Sequence, residues 1–348
     1  MVRSRIILGD GAEIFSGMGD ECAISRVELT QRVNEGQDLR PGAVCPDVLE
    51  IELCISGSRI TVPIDSELNF YQGKNEEDWE FVGLFTVAHT VWLGPNRYRI
   101  TAYDRLSWLD RDMSEWVESL DAWPYRLDKF AQMVCQACNL EMVPGYFTNG
   151  EWPVHKFPGN NITGRKLMRW VGEISRRYCR VTAAGEISLE WYKEIDADIW
   201  ASEERCIFKD SFSCADYLTD AIDKVIVRAE RKDMGTSYGS GGNAYISTGN
   251  LLVTSVPEVT LREVARVLYE QLHQLQYTPC TFAVPADTRI QCGDILRIME
   301  GDRREIVMYV MKKTCRGQKA ILECIGNPYR NGQTVKSGYS AVAPKENF

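Results

Sequence analysis

The sequence predicts an α+β chain dominated by β-structure, in which two small β-barrels flank an inserted α+β unit. Residues 1–105 and the residues after about 206 alternate apolar and polar side chains with a period of two, which is typical of half-buried strands. Residues 106–205 between them contain two segments with helical spacing. The chain has 348 residues, more than one hydrophobic core usually organises, so we expect two or three units.

The first unit, residues 1–105, ends where the hydrophobic period changes within residues 97–116, RYRITAYDRLSWLDRDMSEW. The strand period is carried by Tyr98, Ile100 and Ala102. The helical spacing that follows is that of Leu106, Leu109, Met113 and Trp116. We therefore predict that a strand ends here and that a helix begins.

Two hairpins are predicted inside the first unit. The segment 50–62 alternates through Ile55, turns at Ser56-Gly57-Ser58 and returns through Ile60 and Val62. The second hairpin joins residues 80–93 to residues 97–104 across Gly94-Pro95-Asn96. The acidic segment 75–80 between the hairpins is interpreted as a solvated loop.

The inserted unit, residues 106–205, is predicted to hold two amphipathic helices and a hairpin. One helical face comprises Leu127, Phe130, Val134 and Cys138. The other comprises Leu167, Trp170, Val171, Ile174 and Tyr178. Thr163 is a suitable N-cap for the second helix, and the hairpin turns at Ala183-Ala184-Gly185.

The last unit, residues 206–330, is predicted to be β-rich with one helix. The strand 221–232 is followed by a Gly/Ser-rich stretch, 233–249, that is too long and polar for an ordinary turn. Thr260 and Glu263 have the spacing of a capping box. The helical face that follows is Leu261, Val264, Leu268, Leu272 and Leu275. Residues 331–348 show almost no periodicity and are predicted to form an extended or disordered C-terminal arm.

Composition limits the possible functions. With 44% hydrophobic and 26% charged residues the chain has an ordinary globular composition, and its formal charge of −9 argues against a grip on nucleic-acid phosphates. No apolar run approaches the roughly 20 residues of a membrane span, and the N-terminus lacks a signal-peptide core. We expect synthesis in the cytoplasm. The twelve cysteines are spread along the chain, which favours reduced and mostly buried thiols, with their redox state open.

Two motifs have the spacing of known sites but are better explained by packing. Cys135 and Cys138 form a CxxC pair without a second ligand pair, so we interpret them as core cysteines rather than a metal or redox site. Residues 159–166 copy the Gly-x4-Gly spacing of a phosphate loop. Arg165 and Lys166 replace its lysine and its hydroxyl residue, so a nucleotide site is not predicted.

No catalytic, cofactor-binding or metal-ligating residue is assigned. His89, His155 and His273 lie in three different units, and the sequence brings none of them to a nucleophile or to other ligands. Asp110/Asp112 and Glu203/Glu204 are carboxylate pairs of the kind that chance produces in a chain this charged. The expectation is a protein that is not an enzyme.

Two surface features allow two interpretations each. The stretch 233–249 is either a plain disordered loop or a segment that orders against a partner on assembly. The basic residues of the second insert helix either form a solvated face or dock an acidic partner, and the solvated face is favoured. These residues are Arg165, Lys166, Arg169, Arg176 and Arg177.

Three segments resemble the baseplate hub proteins of contractile phage tails and prophage-derived tail-like particles, the late control protein D type. They are TAYDRLSWLD (101–110), NITGRKLMRWVGEISRRYCRVTAAGEISLEWY (161–192) and DTRIQCGDILRIMEG (287–301). In that family an "aYDrL" pattern follows the last strand of the first barrel. A "tGRklL" helix then precedes a "v...G.i.l.W" hairpin.

The resemblance implies a homotrimer in which two tube-type barrels per subunit form a pseudo-sixfold ring. Such a ring adapts a hexameric tail tube to a trimeric spike, and heterologous contacts around a closed ring cover strand edges. It implies contacts with spike, tube, tape-measure and other baseplate proteins, and a place in the virion tail after assembly in the host cytoplasm. DNA is expected to pass an acidic lumen without specific binding.

Two other functions remain open on the sequence. The first is the hub portion of a tail-associated peptidoglycan hydrolase, which needs a catalytic domain beyond residue 330. The nine tryptophans suggest instead a carbohydrate-binding adhesin made of β-modules. That adhesin requires Trp79, Trp92 or Trp152 to be exposed in a shallow groove.

Overall fold

The computed structural model describes most of the chain from residue 3 to residue 334. The described ranges are 3–16, 22–36, 39–56, 61–73, 78–145, 147–195, 207–208, 211–215, 217–228, 235–253, 258–273, 276–300, 304–326, 329–330 and 333–334.

The N-terminal region is built from seven strands with alternating burial. They are β1 (Arg3–Leu8), β2 (Glu13–Phe15), β3 (Cys22–Arg32), β4 (Val48–Ile55), β5 (Glu67–Gly73), β6 (Trp79–Gly94) and β7 (Arg97–Asp104). The predicted hairpin around Gly94-Pro95-Asn96 is confirmed, since β6 and β7 pair antiparallel along their length.

The central region contains the predicted helices and hairpin. A 3-10 helix (Arg105–Asp110) leads to α1 (Ser114–Ser119), β8 (Tyr125–Arg126), α2 (Leu127–Ala137), β9 (Pro153–Val154), α3 (Gly164–Ser175), β10 (Tyr178–Val181), β11 (Ile187–Glu190) and β12 (Lys193–Glu194). Thr163 caps α3 as predicted, because its side chain accepts a hydrogen bond from the Lys166 N–H at 3.2 Å.

The C-terminal region returns to strands and adds one long helix. Its elements are β13 (Ser213–Cys214), β14 (Lys224–Arg228), β15 (Gly235–Gly239), β16 (Ala244–Thr248), a 3-10 helix (Leu251–Val253), α4 (Glu258–Leu272), β17 (Thr278–Pro285), β18 (Asp294–Glu300), β19 (Arg304–Arg316), β20 (Lys319–Gly326), β21 (Tyr329–Arg330) and β22 (Gln333–Thr334).

One 13-stranded sheet dominates the fold. Its main path runs β13-β17-β20-β19-β3-β4-β7-β6-β5-β1-β2, with β18 beside β19 and β12 beside β18. The β-dominated class is therefore confirmed. The sheet forms no closed barrel within the described residues, although a single bridge from Ser16 to Ile24 brings the end of β2 beside β3.

The N-terminal and C-terminal strand regions belong to the same sheet because β3 pairs with β19. This antiparallel pairing, which we call the seam, runs from Arg32 opposite Lys312 to Glu28 opposite Arg316. Leu29 and Cys315, opposite each other in the seam, are buried on the core side. The two regions are thus joined by main-chain hydrogen bonds and by shared apolar packing.

The buried apolar residues form two clusters. The first lies against the large sheet and joins N-terminal residues such as Ile51 to C-terminal residues such as Leu322. The second contains α2 and α3 together with the three-stranded sheet β15-β14-β16 and α4, through residues such as Val225 and Leu268. The predicted apolar face of α4 is confirmed for Leu261, Val264, Leu268 and Leu272; Leu275 lies outside the described residues.

Two predicted local structures in the first half of the chain are wrong. The hairpin across 50–62 does not form, because β4 pairs with β3 and β7 and residues 61–66 are not a strand. Tertiary partners decide pairing when several strands share one pattern. The single helix expected from Leu106 to Trp116 is instead a 3-10 helix and α1, separated at residues 111–113.

Two further predictions in the second half are wrong. Residues 235–239 and 244–248 of the supposed Gly/Ser loop are strands on either side of β14. Gly239 ends β15 and Gly241 lies between β15 and β16, and both have positive φ, which favours glycine. The capping box does not start α4, because the helix already includes Glu258, two residues before Thr260. Apart from β22, the predicted C-terminal arm lies outside the described residues.

The contact between α3 and the loop before β4 depends on two glycines. A methyl group at position 172 would lie 2.8 Å from the Arg177 carbonyl oxygen and 2.9 Å from Gly42 Cα. Gly42 itself has a φ of +85°, which favours glycine. The helix therefore approaches this loop backbone to backbone.

We expect Gly172→Ala to lower the free energy of unfolding by about 1–3 kcal/mol, because overpacking outweighs the gain in helix propensity. Gly94→Ala is the matched control, since a methyl group there meets nothing within 4 Å. Urea unfolding followed by circular dichroism measures both. Equal stability of the two variants would contradict the close approach.

Candidate functional site

Four charged side chains meet where the N-terminal strands, the central region and the C-terminal strands come together. We call Asp47, Asp104, Arg180 and Lys313 the junction cluster. They line a cavity of about 240 Å³. Asp104 and Lys313 are buried, with 6% and 2% of their surface exposed, and Asp47 and Arg180 are half-buried.

Strand ends and one loop position the two carboxylates. Asp104 ends β7, and its Oδ1 accepts a hydrogen bond from the Leu106 N–H at 3.0 Å, so it caps the 3-10 helix. Its own backbone N–H donates to the Asp47 carbonyl oxygen at 3.2 Å. Asp47 Oδ2 in turn accepts from Gln31 Nε2 of β3 at 2.8 Å.

The two cations bind backbone carbonyls of the C-terminal region. Lys313 Nζ donates to the Asp287 and Ile290 carbonyl oxygens at 2.7 and 2.5 Å. Arg180 Nη1, from β10, donates to the Cys292 carbonyl oxygen at 3.1 Å. The central hairpin and β19 therefore hold the same loop before β18.

Burial changes the acidity of the junction cluster. It raises the pKa of Asp104 well above its usual range, and the neighbouring Asp47 charge adds to this shift. Burial also raises the pKa of Asp47, against the opposing effect of the Gln31 hydrogen bond. The pKa of the nearby Cys292 thiol is raised mainly by burial, so the thiol stays protonated and is a poor nucleophile. The cluster is arranged to hold three regions together.

A second group of charges crosses the seam on the face of the sheet away from the core. We call Arg316, Glu28, Arg26, Glu52, Arg97 and Arg99 the charge ladder. Arg316 and Arg26 bind Glu28 at 2.9 and 3.0 Å. Glu52 accepts from Arg99 at 2.7 Å and from Arg97. The ladder extends from β19 through β3 and β4 to β7, so it links both strand regions.

Sequence reasoning missed the junction cluster and the charge ladder. In the sequence Asp104 belongs to the strand-to-helix change and to the "aYDrL" pattern, and neither feature predicts a buried charge. One available signal was the pair Lys312-Lys313 in β19, because adjacent residues of a strand point to opposite faces and one of the two lysines must therefore lie on the core side. A charge in such a position is expected to have buried partners.

The CxxC cysteines lie in the second apolar cluster. Cys135 and Cys138 are both buried, and Cys138 Sγ lies 3.7 Å from Met113 Sδ. Burial raises the pKa of Cys135 to about 12 and raises the pKa of Cys138. Protonated thiols in apolar surroundings fit the interpretation as core cysteines.

The cysteine prediction needs one correction. Cys214 and Cys280, directly opposite each other in β13 and β17, form a disulfide. Nine other cysteines of the described residues are free, and Cys206 lies outside them.

The backbone amides of the supposed phosphate loop are already occupied. The Gly159 N–H donates to Glu118 Oε1 at 2.7 Å, and the Gly164 N–H donates to the Arg111 carbonyl oxygen at 3.2 Å. Gly164 also packs against Leu109 and Cys138. The segment leads into α3 and is held to α1 by the Glu118 hydrogen bond. These two amides are therefore not free to bind an anion.

The structure separates the remaining candidate groups. His89 lies in β6, and the His273 ring stacks on Tyr269 with centroids 4.8 Å apart. Asp110 binds Arg165 at 2.6 Å, whereas Asp112 accepts from the Ser114 N–H and hydroxyl. His155 is half-buried after β9. Glu203 and Glu204 lie outside the described residues. Within the residues that are described, no group of three or more His, Cys, Asp or Glu side chains could hold a metal ion.

The basic residues of α3 do not form one uniform face. Arg165 is bound to Asp110, and Arg176 ends the helix with a φ of 60°. Lys166 Nζ lies 5.3 Å from the centroid of the Trp170 ring, and Arg169 Nη1 lies 3.9 Å from Glu35 Oε2. Lys166, Arg169 and Glu35 are exposed, whereas Trp170 is buried. None of the described helices is long and apolar enough to cross a bilayer.

Known proteins of similar fold were found among solved structures. No protein-family model and no curated protein sequence matches this chain. The 43 kDa tail protein of prophage MuSo2 from Shewanella oneidensis matches with a TM-score of 0.58 and 10% identity, over 93% of this chain and 97% of that one. A tail protein from Neisseria meningitidis MC58 matches with a TM-score of 0.57 and 10% identity, over 93% of this chain and 96% of that one.

A third similar structure comes from a secretion system. The E. coli c3393 protein, described as a type VI secretion component structurally similar to the T4 bacteriophage tail proteins gp27 and gp5, matches with a TM-score of 0.51 and 8% identity. The match covers 94% of this chain and 77% of that one. The chain therefore has the fold of phage tail proteins and of this secretion component. The expected resemblance to hub-type tail proteins is confirmed at the level of the fold.

The raised pKa of Asp104 predicts a pH-dependent stability. The stability linked to its proton is present below the unfolded-state value of about 4 and is lost as the pH rises through the higher folded-state value. Asp104→Asn keeps an oxygen acceptor for Leu106 and has no charge to bury. We expect the stability of the wild type to fall relative to this variant as the pH rises above about 4.

Urea unfolding at several pH values measures this difference. Asp112→Asn is the control with the opposite sign, because hydrogen bonds from Ser114 lower the pKa of Asp112. If the free energies of unfolding of the wild type and Asp104→Asn change with pH in parallel, Asp104 is not buried as a carboxyl group.

Glu52 is the most enclosed acid of the charge ladder, with 7% of its side chain exposed. We expect Glu52→Gln to lower the free energy of unfolding by about 1–2 kcal/mol, because it weakens charge-assisted hydrogen bonds from Arg97 and Arg99. Glu13→Gln is the control. Glu13 binds one arginine but is 42% exposed, so Glu13→Gln should lower the free energy of unfolding by at most about 0.5 kcal/mol. Thermal melts in low and high salt compare the two variants. Equal decreases in stability would count against a stabilising role of the charge ladder.

Proposed function

We propose that the chain is a structural hub protein of a phage tail or phage-tail-like particle. Three copies form a ring of six similar lobes that adapts a hexameric tail tube to a trimeric spike. The observation that carries this proposal is the seam. It makes the N-terminal and C-terminal strand regions parts of one sheet, so each copy supplies two β-modules in a fixed relation.

The ring requires that the two modules of one copy do not move independently. The seam, the charge ladder and the junction cluster all cross between them. A hinge at this position would have to break main-chain pairs, ion pairs and buried contacts together. This rigidity supports a ring whose six lobes keep their spacing.

Exposed apolar side chains support contacts between copies. At the C-terminal end of the sheet Phe208, Phe212 and Tyr217 flank β13 and are 39–47% exposed. In the N-terminal module Val91 and Leu93 of β6 are 46% and 39% exposed. Two different apolar surfaces on one chain suit heterologous contacts, which close into a ring when the rotation allows it.

The other parts of the proposal concern the particle. The chain acts without catalysis and binds spike, tube, tape-measure and neighbouring baseplate proteins in the virion tail after assembly in the host cytoplasm. DNA passes the lumen without specific binding. The pairing of Arg97, Arg99 and Arg316 with carboxylates supports this last point, because paired cations attract phosphates less.

We propose the same division into domains that the sequence predicts. Residues 1–105 and 206–330 would be two tube-type barrel domains around an insert at 106–205, with an arm at 331–348. The strand β14 and the helix α4 of the last domain pack on the core of the insert. Closure of the first barrel would extend the bridge from Ser16 to Ile24.

The two alternatives make different predictions. A carbohydrate-binding adhesin needs exposed tryptophans, yet Trp152 is 7% exposed and its Nε1 donates to the Leu252 carbonyl oxygen at 3.3 Å. Trp92 packs on Tyr98 with ring centroids 5.0 Å apart. The hub portion of a hydrolase would show muralytic activity on a zymogram, and an adhesin would bind a glycan array. We expect neither result.

Electron microscopy of the purified chain, alone and with its spike protein, tests the ring. We expect a threefold particle with six lobes and a central hole. Phe212→Glu with Tyr217→Glu should leave a folded monomer, because it places charges on the end surface beside β13. Ile64→Glu is the control at an exposed apolar residue away from that end. A wild-type chain that stays monomeric with and without spike would rule out the ring.

A further inference from the structure

A long groove separates α3 from the three-stranded sheet β15-β14-β16. It consists of two adjoining cavities of about 770 and 570 Å³ that share Arg40, Tyr245 and Ile246. One wall is β16. The opposite wall carries Lys166 and Arg169 of α3. Neither the junction cluster nor the sheet ends use this groove.

The β16 wall is the edge of its sheet. β16 pairs with β14 along one side, and no described strand pairs with its other side. Ile246, in the middle of β16, is 48% exposed and faces both cavities. An edge strand beside a groove is the arrangement that accepts an added strand from another chain.

The charges along the groove are unevenly placed. Lys166 and Arg169 are exposed at the end near Gly249. Glu173, the acid beside them, is occupied, because its carboxylate accepts from the Tyr245 hydroxyl at 3.2 Å and from Asn250 Nδ2 at 3.0 Å. Glu35 lies 3.9 Å from Arg169 while both are 58% exposed, so this pair is weak.

The other end of the groove differs. Asp220, Thr219 and Asn243 lie there, beside the start of β16. Asp220 and the start of β16 are linked through Asn243, whose Nδ2 donates to the Asp220 carbonyl oxygen at 3.2 Å. Arg40 lies between the two ends, since it lines both cavities. The groove therefore carries basic residues from its middle to the end of β16 and an acid where β16 begins.

We propose that this groove binds an extended polypeptide segment of a partner protein by adding a strand to β16. The segment places an apolar side chain on Ile246 and its carboxylates at the end where Lys166 and Arg169 lie. Main-chain pairing supplies most of the affinity, and the two cations set the polarity of binding. The site does not depend on ring formation, so it can be tested on the full-length chain whether or not that chain forms a ring.

Synthetic peptides test the site on the full-length chain. The probes are Glu-Glu-Val-Thr-Val-Thr-Val and the reverse sequence, both with blocked ends and a fluorophore. Because the direction of the added strand is open, we expect one of the two to bind measurably by fluorescence anisotropy. Replacing both Glu by Lys in that peptide should weaken binding about tenfold or more. Alternate N-methylation of the backbone should abolish it.

Charge-reversal variants make the test specific. We expect Lys166→Glu with Arg169→Glu to lose the acidic peptide and to bind the lysine peptide instead. Arg262→Glu reverses an exposed charge on α4 away from the groove and should change neither affinity. Ile246→Asp should weaken binding of both peptides, and circular dichroism checks the fold of each variant.

The opposite results would overturn the proposal. Absence of binding by both acidic peptides at millimolar concentration shows that the groove takes no such strand. Equal affinity of the N-methylated peptide shows that β16 adds none. Equal affinity of the acidic and lysine peptides, or no exchange of preference in the charge-reversed variant, shows that Lys166 and Arg169 do not select the segment.

Discussion

The pairing of β3 with β19 is the constraint on which the rest of the architecture depends. The Glu28 and Arg316 side chains that meet across it are 288 residues apart in the chain. Without this pairing β3 and β19 would each present an unpaired edge in the middle of the molecule, a position that invites aggregation. With it, the central region from the 3-10 helix at Arg105 to β11 is a long insert between strands of one sheet, and the chain returns to that sheet at β12 and β13. The loop-closure entropy of such a connection grows only slowly with its length, so a large insert can be accommodated there.

Buried charge near the seam has a cost that apolar residues would avoid. Removing Lys313 and Asp104 from water is unfavourable, and well-packed apolar side chains of similar volume are often as stable. What polar partners add is a geometrical requirement. Lys313 must reach the Asp287 and Ile290 carbonyl oxygens, and Asp104 must reach the start of the 3-10 helix. A slip of β19 by one residue would turn Lys313 to the other face and leave these carbonyls without a donor. The junction cluster therefore fits a role in fixing register between β3 and β19.

Local structure was predictable where a short segment contains its own signal. The helical face of α2, the Thr163 cap of α3 and the β6–β7 hairpin depend on neighbours in sequence, and the structure has all three. The seam could not be predicted, because the alternation of β3 fits any strand with an apolar face. The hairpin predicted at 50–62 failed for the same reason, since β4 found β3 and β7 instead. The strands β15 and β16 were hidden by glycine and serine, whose low strand preference is overcome by packing of β14 and β15 against α4. The junction cluster needs three regions to be placed before its charges meet.

The sequence identity to tail proteins of similar fold is low because the interactions that stabilise the sheet place few demands on particular side chains. Main-chain hydrogen bonds and alternating apolar positions can be kept by many side chains, so a TM-score of 0.58 at 10% identity is physically reasonable. Side-chain identity matters more where a surface must choose a partner. In this chain the surfaces proposed for such contacts are the aromatic end beside β13 and the groove of β16, Lys166 and Arg169. The first presents exposed Phe212 and Tyr217 and suits contact with a further copy. The second combines a strand edge that no described strand pairs with and charges of defined order, so it suits a different chain. One sheet with separate surfaces for like and unlike partners is the arrangement that the proposed hub role requires.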